Sequence, residues 1–401
     1  MSTQRRVYVH RETENLIARQ IPNYPILSIV GPRQSGKTEL IRNYFPHLKH
    51  YDFEDLPTRA LVEKDITGFV RANIKGAIFD EFQFVPEITQ VLKVVADELI
   101  WDAHQRGENT AQARFIITGS HNYLLDDRIK EGMVGRVANI KLLPFTIGET
   151  GLTDPFLLMY KGGYPAIHTN RTEPDLFFTD YIENYLNREV RTIHGIEDLR
   201  TFRKFMEICA HLTGQFFDYQ KVGTVLEISK ETMSKWLTIL YSSYIIFFAG
   251  PYYKSTIARF SNKDKLYFYD TGLAAYLMGD IYSPEDIERN SDARGKLFEN
   301  LIFSQLWKKN YAKGRYHDPA YFWNITGSRG YEVDMIVKRA RGLSAIEIKS
   351  SSNFDPRWFA NMQKHKDLRE GDKFVVYTGP TMDVEGGRAL NFCDLDQLFL
   401  D

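Results

Sequence analysis

The sequence predicts a multidomain α/β protein: a parallel α/β domain first, a helical middle, and a second α/β domain at the C-terminal end. Three observations carry this expectation. Residues 31–38 spell GPRQSGKT between an apolar run of β character and a helix. Further short apolar runs then alternate with a helical stretch, the pattern of a parallel sheet covered on both faces. After a helix-rich middle, α/β character returns from about residue 294. At 401 residues the chain exceeds one ordinary core, and the expected segments are 1–150, 151–290 and 291–401.

Bulk properties narrow the choice of function. With 43% hydrophobic and 14% aromatic residues, each segment can bury a core. The formal net charge is −1, so nucleic-acid contact has to come from local patches, not from the overall field. Cys209 and Cys393 stand in unrelated contexts, which excludes a disulfide framework or a cysteine-based zinc site and suits a reducing compartment. The charged start MSTQRRVYVHRETE has no apolar signal core. The greasiest segment, Tyr244–Gly250, is far shorter than the ~20 residues of a membrane span. A soluble, cytoplasmic protein with no membrane partner is the expectation.

Element by element, the first twenty residues read as a short amphipathic helix that ends before Pro22. Residues 25–30 read as a strand, Thr38–Tyr44 as a helix, Ala77–Phe79 and Phe115–Thr118 as strands, and Glu87–Trp101 as a helix between them. From about 150 helices dominate, with an aromatic stripe at Tyr181–Leu186. Two short helices flank Glu227–Lys230, Ser229 being a good N-cap for the second, and the β-rich Ile245–Phe248 follows. That order suits a winged helix. A helix at 295–309 and strands near 321–326, 331–338, 343–349 and 373–378 complete the chain.

GPRQSGKT fits the phosphate-loop pattern at every fixed position. In the loop Gly31-Pro32-Arg33-Gln34-Ser35-Gly36 the two glycines let the backbone N–H groups wrap phosphates without Cβ clashes. Lys37 brings a point charge, and Thr38 offers a hydroxyl to Mg²⁺ at a helix N-terminus. The apolar strand Ala77–Phe79 ends in two carboxylates: Asp80 suits a Mg²⁺ shell and Glu81 an attacking water. After Phe115–Thr118, Ser120 is the first candidate to sense a γ-phosphate and Asn122 the second; an ordinary Ser/Asn turn is an equal reading. Arg136, on a glycine turn, is either a charge-stabilising finger in its own or a neighbouring subunit, or a surface arginine.

Taken in order, GPRQSGKT, FDEFQ, ITGS, GR, LLPF (Leu142–Phe145) and GGYP (Gly162–Pro165) resemble a prokaryotic AAA-type P-loop ATPase family fused to a C-terminal domain of unknown function. The resemblance extends through KLYFYDTG (Lys265–Gly272) to the C-terminal stretch and implies ATP as the nucleotide. His121 departs from it, standing where such proteins often carry a second serine.

The stretch GYEVDMIVKRARGLSAIEIKS, residues 330–350, is two alternating runs about a charged turn. Alternation puts Glu347 and Lys349 on one face of a strand and Ile346 and Ile348 on the other. Asp334 on the preceding strand can reach the same edge, and an upstream helix can bring Glu299 to it. Carboxylates that hold Mg²⁺ beside a lysine form a phosphodiesterase apparatus; an ordinary wet strand face is the plainer reading. The constellation resembles the PD-(D/E)xK nuclease superfamily, which implies a restriction-endonuclease-like α/β domain with Asp334 and Glu347 as metal ligands, Lys349 as the catalytic lysine and Glu299 as the helix acid.

Two functions remain open at this point. One is a Mg²⁺-dependent ATPase whose nucleotide state controls a nuclease-like, DNA-binding domain. The other is a nucleotide-switched regulator without nuclease activity that grips DNA or a protein partner. A homo-oligomeric ring rests on Arg136 alone.

Overall fold

Residues Ile26–Val30 form strand β1, buried along its whole length, because a strand covered on both faces of a parallel sheet reads as one continuous apolar run. The computed structural model describes residues 8–120, 133–252, 264–325, 331–339, 342–364, 368 and 371–399. His121 and Asn122 of the expected sensor turn lie outside the described residues. The chain divides into two compact units. One comprises Met1–Phe145, Leu240–Ile245 and Lys309–Tyr316; the other comprises Thr146–Ile239, Ile246–Lys308 and His317–Asp401.

In the first unit, β1 is joined by β2 (Lys49–Asp52), β3 (Ala77–Asp80), β4 (Phe115–Gly119) and β5 (Val137–Lys141). The five strands lie in the order β2-β3-β4-β1-β5, and every neighbouring pair is parallel. Helices α1 (Glu14–Gln20), α2 (Lys37–Tyr44), α3 (Leu56–Lys64), α4 (Ile66–Ala72) and α5 (Ile88–Gln105) alternate with the strands. Leu27, Ile29, Ile78, Ile116 and Ile140 pack with Leu16 and Ile17 of α1 and Leu40 and Ile41 of α2. Elsewhere in this core, Phe79 stacks between Phe53 and Phe115, with ring centroids 5.7 Å from each.

Two edge strands, β2 and β5, are absent from the sequence expectation. Lys49, Asp52 and Asn139 are exposed, so neither segment presents an apolar run. The first helix begins only at Glu14: its carboxylate accepts the Arg11 backbone N–H at 2.8 Å, and residues 8–13 are not helical.

The second unit opens with helices α6 (Ile147–Thr150), α7 (Pro155–Lys161), α8 (Pro165–Thr169), α9 (Pro174–Asn184) and α10 (Leu199–His211). Tyr181, Ile182, Tyr185 and Leu186 of the aromatic stripe are core residues. Then come β6 (Gln215–Phe216), α11 (Tyr219–Leu226), α12 (Lys230–Ser242), β7 (Ile246–Ala249) and β8 (Lys265–Phe268). The strands form an antiparallel sheet in the order β6-β8-β7. Ser229 caps α12, its hydroxyl accepting the Thr232 N–H at 3.2 Å.

Helix α13 (Thr271–Met278) is capped by Asp270. The same carboxylate accepts the Gly163 N–H at 2.7 Å, and a Cβ at Gly272 would come within 2.7 Å of the Gly162 backbone nitrogen. The GGYP and KLYFYDTG motifs are thus halves of one interlock.

After α14 (Pro284–Arg289), the long α15 (Ser291–Ala312) leads into β9 (Tyr321–Ile325), β10 (Tyr331–Arg339), β11 (Gly342–Lys349), α16 (Ala360–Lys364), β12 (Asp372–Tyr377), β13 (Met382–Val384) and β14 (Gly387–Asn391). They make a mixed sheet in the order β13-β14-β12-β11-β10-β9. Strands β9, β10 and β11 are antiparallel neighbours and β12 runs parallel to β11. Among the described residues no helix is long and apolar enough to cross a membrane.

Candidate functional site

The strand register sets the first site. Val30 lies level with Gly119 and Lys141, and Asp52 with Asp80, so the loops after β1, β3 and β4 leave from one edge of the sheet. Ligands of open α/β sheets bind beyond the carboxyl ends of the strands.

After β1 the chain turns tightly through Gln34 at φ 59° and Gly36 at φ 92° before α2 begins at Lys37. Gly31 admits no side chain, since a Cβ there would lie 1.9 Å from the Leu142 carbonyl oxygen. Lys37 donates to the carbonyls of Gly31 and Pro32, each at 3.0 Å. The Thr38 hydroxyl donates to Asp80 Oδ2 at 3.0 Å. Buried Ser35 has a hydroxyl with no hydrogen-bond partner. A glycine cradle, an orphaned buried hydroxyl, an ammonium at the loop and a hydroxyl–carboxylate pair fit a nucleotide triphosphate with Mg²⁺.

Asp80 gathers donors that spacing along the chain does not announce. His50 on β2 meets Asp80 Oδ2 at 3.0 Å, and Thr118 on β4 donates to Oδ1. Burial by itself would raise this carboxyl; the hydrogen bonds from His50, Thr118 and Thr38 more than offset that and hold it low. The neighbouring Glu81 goes the other way: burial pushes its pKa up against the pull of Lys37. Its backbone stands in the left-handed region at φ 51°, a conformation rare outside glycine. Gln83 and Ser120 both donate to Glu81 Oε2, Ser120 at 3.3 Å, so the sensor candidate sits on the carboxylate candidate.

Arg136 is not at this edge. Its carbonyl accepts the N–H of Ile26, the first residue of β1, whereas the phosphate loop leaves the other end, ~13 Å away along the strand. On the surface its guanidinium pairs with Asp97, Nη2 to Oδ2 at 3.0 Å.

In the second unit the Met335↔Ile346 register of β10 and β11 brings Asp334, Glu347 and Lys349 together. The Lys349 ammonium donates to Asp334 Oδ2 at 3.0 Å and to Glu347 Oε2 at 2.7 Å. Asp334 also accepts the Ile348 N–H at 2.8 Å. Glu347 is 3% exposed, and its Oε1 has no hydrogen-bond partner. Burial and the Asp334 charge push Glu347 up to about 8 against the pull of Lys349. Burial lowers Lys349, but the two carboxylates outweigh it and raise it.

Glu299 on α15 is engaged separately. It accepts from the Tyr267 hydroxyl at 2.7 Å and from Lys265 at 3.4 Å, alternate residues of β8, and Lys265 also pairs with Glu332. Burial and the nearby Asp334 raise its pKa, with Lys265 opposing. Among the described residues no group of three or more His, Cys, Asp or Glu is disposed to hold a metal ion; Asp334 and Glu347 make a pair.

Comparison with known proteins divides the chain into three matched stretches. Residues 23–151 match the family described as AAA domain. Residues 154–282 and 294–393 match two families each described as a domain of unknown function, DUF8612 and DUF4143. An uncharacterized protein of Mycobacterium tuberculosis is 26% identical over 92% of this chain and 80% of its own length. One from Haemophilus influenzae is 21% identical over 80% of this chain and 81% of its own. Among solved structures, a Walker-type ATPase of Pyrococcus abyssi aligns at TM-score 0.41 and 16% identity, over 69% of this chain and 97% of that one. The ORC2 protein of Aeropyrum pernix aligns at 0.35 and 12%, over 61% and 88%. The parallel-sheet domain with its phosphate loop is an AAA-type, P-loop ATPase-like domain, followed by a helical region and a C-terminal mixed-sheet domain.

Proposed function

We propose that this protein is a Mg²⁺-dependent ATPase whose nucleotide state controls a nuclease-like, DNA-binding C-terminal domain. The observation that carries the reading is the Thr38–Asp80 hydrogen bond, which joins the phosphate loop to the carboxylate strand. The loop Gly31–Thr38 and the N-terminus of α2 take the phosphates, and Lys37 adds its charge. Thr38 and Asp80 would hold Mg²⁺, which would neutralise phosphate charge. Glu81 accepts a proton from the attacking water, and burial raises its pKa, which makes it a stronger base than an exposed carboxylate. Gln83 and Ser120 orient its carboxylate. An arginine at the far end of β1 acts only in trans, so Arg136 has a catalytic role only within a homo-oligomer.

Downstream, the three segments 1–150, 151–290 and 291–401 are read as ATPase, linker with winged helix, and nuclease-like domain. Helices α11 and α12 followed by β7 and β8 support the winged helix, and Lys221, Lys230 and Lys235 are exposed on it, a face suited to DNA. Asp334 and Glu347 on neighbouring strands, with Lys349 between them, support the nuclease-like reading. A cytoplasmic setting belongs to the same reading.

A second reading, the nucleotide-switched regulator without cleavage, draws on Glu299. That carboxylate is taken up by Tyr267 and Lys265, which leaves two acids for a metal. A nuclease assay separates the two, with linear, circular and single-stranded DNA, Mg²⁺ or Mn²⁺, and ATP present or absent. Cutting that both Glu347→Ala and Lys349→Ala abolish supports the first reading. ATP hydrolysis with no cutting under any condition moves the second to the front.

A further inference from the structure

The LLPF motif and the residues before α1 have no part in the reading above, yet one buried side chain joins both to the phosphate loop. Arg11 is 6% exposed although it stands near the start of the described chain. Its Nη1 donates to the Ser35 carbonyl at 3.0 Å and its Nη2 to the Leu143 carbonyl at 2.6 Å. The guanidinium carbon lies 4.7 Å over the Phe145 ring, an arrangement that holds a cation where water is scarce. The segment carrying Arg11 is itself pinned, because Glu14 Oε1 accepts both the Arg11 N–H at 2.8 Å and the Tyr8 hydroxyl at 2.7 Å.

A loop between strand and helix has few backbone hydrogen bonds to hold its peptide planes, and those planes are what a phosphate loop presents. In a trans peptide the carbonyl and the following N–H point in opposite directions, and no cis peptide occurs among the described residues. Tying the Ser35 carbonyl to Arg11 therefore turns the Gly36 N–H the other way, away from Arg11. The planar guanidinium fork spans two carbonyls at fixed geometry, which a lysine ammonium on a flexible stem does not reproduce. Leu142 closes the other wall: its N–H donates to the Val30 carbonyl at 2.7 Å, and its own carbonyl abuts Gly31.

We propose that Arg11 is a positioning residue for nucleotide binding. It clamps the Ser35–Gly36 peptide of the phosphate loop against the Leu142–Phe145 segment, so phosphate affinity depends on a side chain outside the loop. This rests on the reading of Gly31–Thr38 as an ATP site.

The test uses the full chain and measures ATP Kd, KM and kcat for wild type, Arg11→Met, Arg11→Lys and Lys37→Ala, with Tm recorded without nucleotide. Arg11→Met is expected to raise Kd and KM about tenfold or more while kcat at saturation stays within about threefold, since a loop ordered at a charge-assisted bond is lost but the reacting groups are not. Arg11→Lys recovers part of the affinity. Equal Kd and KM in wild type and Arg11→Met, with Lys37→Ala unable to bind, overturns the proposal. Should Arg11→Met fail to fold, Arg11→Lys decides: a KM equal to that of wild type overturns it. Wild type that binds no ATP, or Lys37→Ala that binds as well as wild type, refutes the underlying site instead.

Discussion

The Thr38 hydroxyl donates to the Asp80 carboxylate at 3.0 Å, across two places in the sheet, because β4 lies between β1 and β3. That contact brings a helix N-terminus and a strand end to one point, and the chemistry proposed for the first unit turns on it.

Glu81→Gln is expected to lower kcat for ATP by about 10²–10⁴-fold, the usual worth of a positioned base, and to leave ATP affinity close to wild type. Single-turnover hydrolysis beside a binding titration checks it. Turnover near the wild-type rate removes Glu81 from the mechanism.

Arg136→Ala should leave ATP affinity unchanged, since its backbone stands at the opposite end of β1 from the phosphate loop. Any loss of turnover should appear only at protein concentrations where subunits associate. Hydrolysis measured across a dilution series, with sizing runs in ATP, distinguishes this from a local effect; a loss that persists in dilute monomer contradicts the in-trans assignment.

Lys349→Ala is expected to leave ATP turnover within about twofold and to abolish any DNA cutting. It also leaves Asp334 and Glu347 facing each other without their cation. With Lys349 one-third exposed, solvent screening moderates the cost to about 1–3 kcal/mol. Thermal unfolding against Lys349→Arg, which keeps the charge, provides the comparison.

Glu347 predicts a pH dependence. Its folded pKa of about 8 lies above the ordinary carboxyl value of 4.5, so the folded state binds more protons than the unfolded chain between those pH values. Its contribution to stability is fully present below the unfolded value and is lost as pH rises through about 8. Glu347→Gln lacks that loss, so its Tm should gain on wild type as pH climbs from 5 to 8. Each kcal/mol is worth ~2–4 °C in domains of 150–250 residues. A constant Tm difference across this range would falsify the assignment.

Asp270→Ala removes the N-cap of α13 and the acceptor for Gly163 at once. The expected cost is about 2–3 kcal/mol, in line with buried hydrogen bonds to a charged acceptor. ATP turnover per folded molecule should be unchanged, which is the outcome that separates an interlock from a catalytic motif. Denaturant unfolding and active-site-normalised turnover provide the two readings.

Features whose partners are neighbours along the chain are legible in the residues alone. The phosphate loop is contiguous, and glycine freedom, helix start and hydroxyl position follow from spacing alone. Central strands β1, β3 and β4 are legible because burial on both faces makes them continuously apolar. The Asp334, Glu347 and Lys349 grouping is legible because a hairpin pairs its strands through one turn, and alternation fixes the face. The remaining contacts come from packing between distant segments. Strand order brought His50 and Thr118 to Asp80, and only the sheet's two ends separate Arg136 from the loop it was matched with. Lys265 and Tyr267 claimed Glu299 from a strand more than thirty residues away. Arg11 reached Ser35 and Leu143 through a fold that no local periodicity encodes. A polar side chain's partner is set by which elements lie adjacent, and adjacency between distant segments is a property of the packed core rather than of residue spacing.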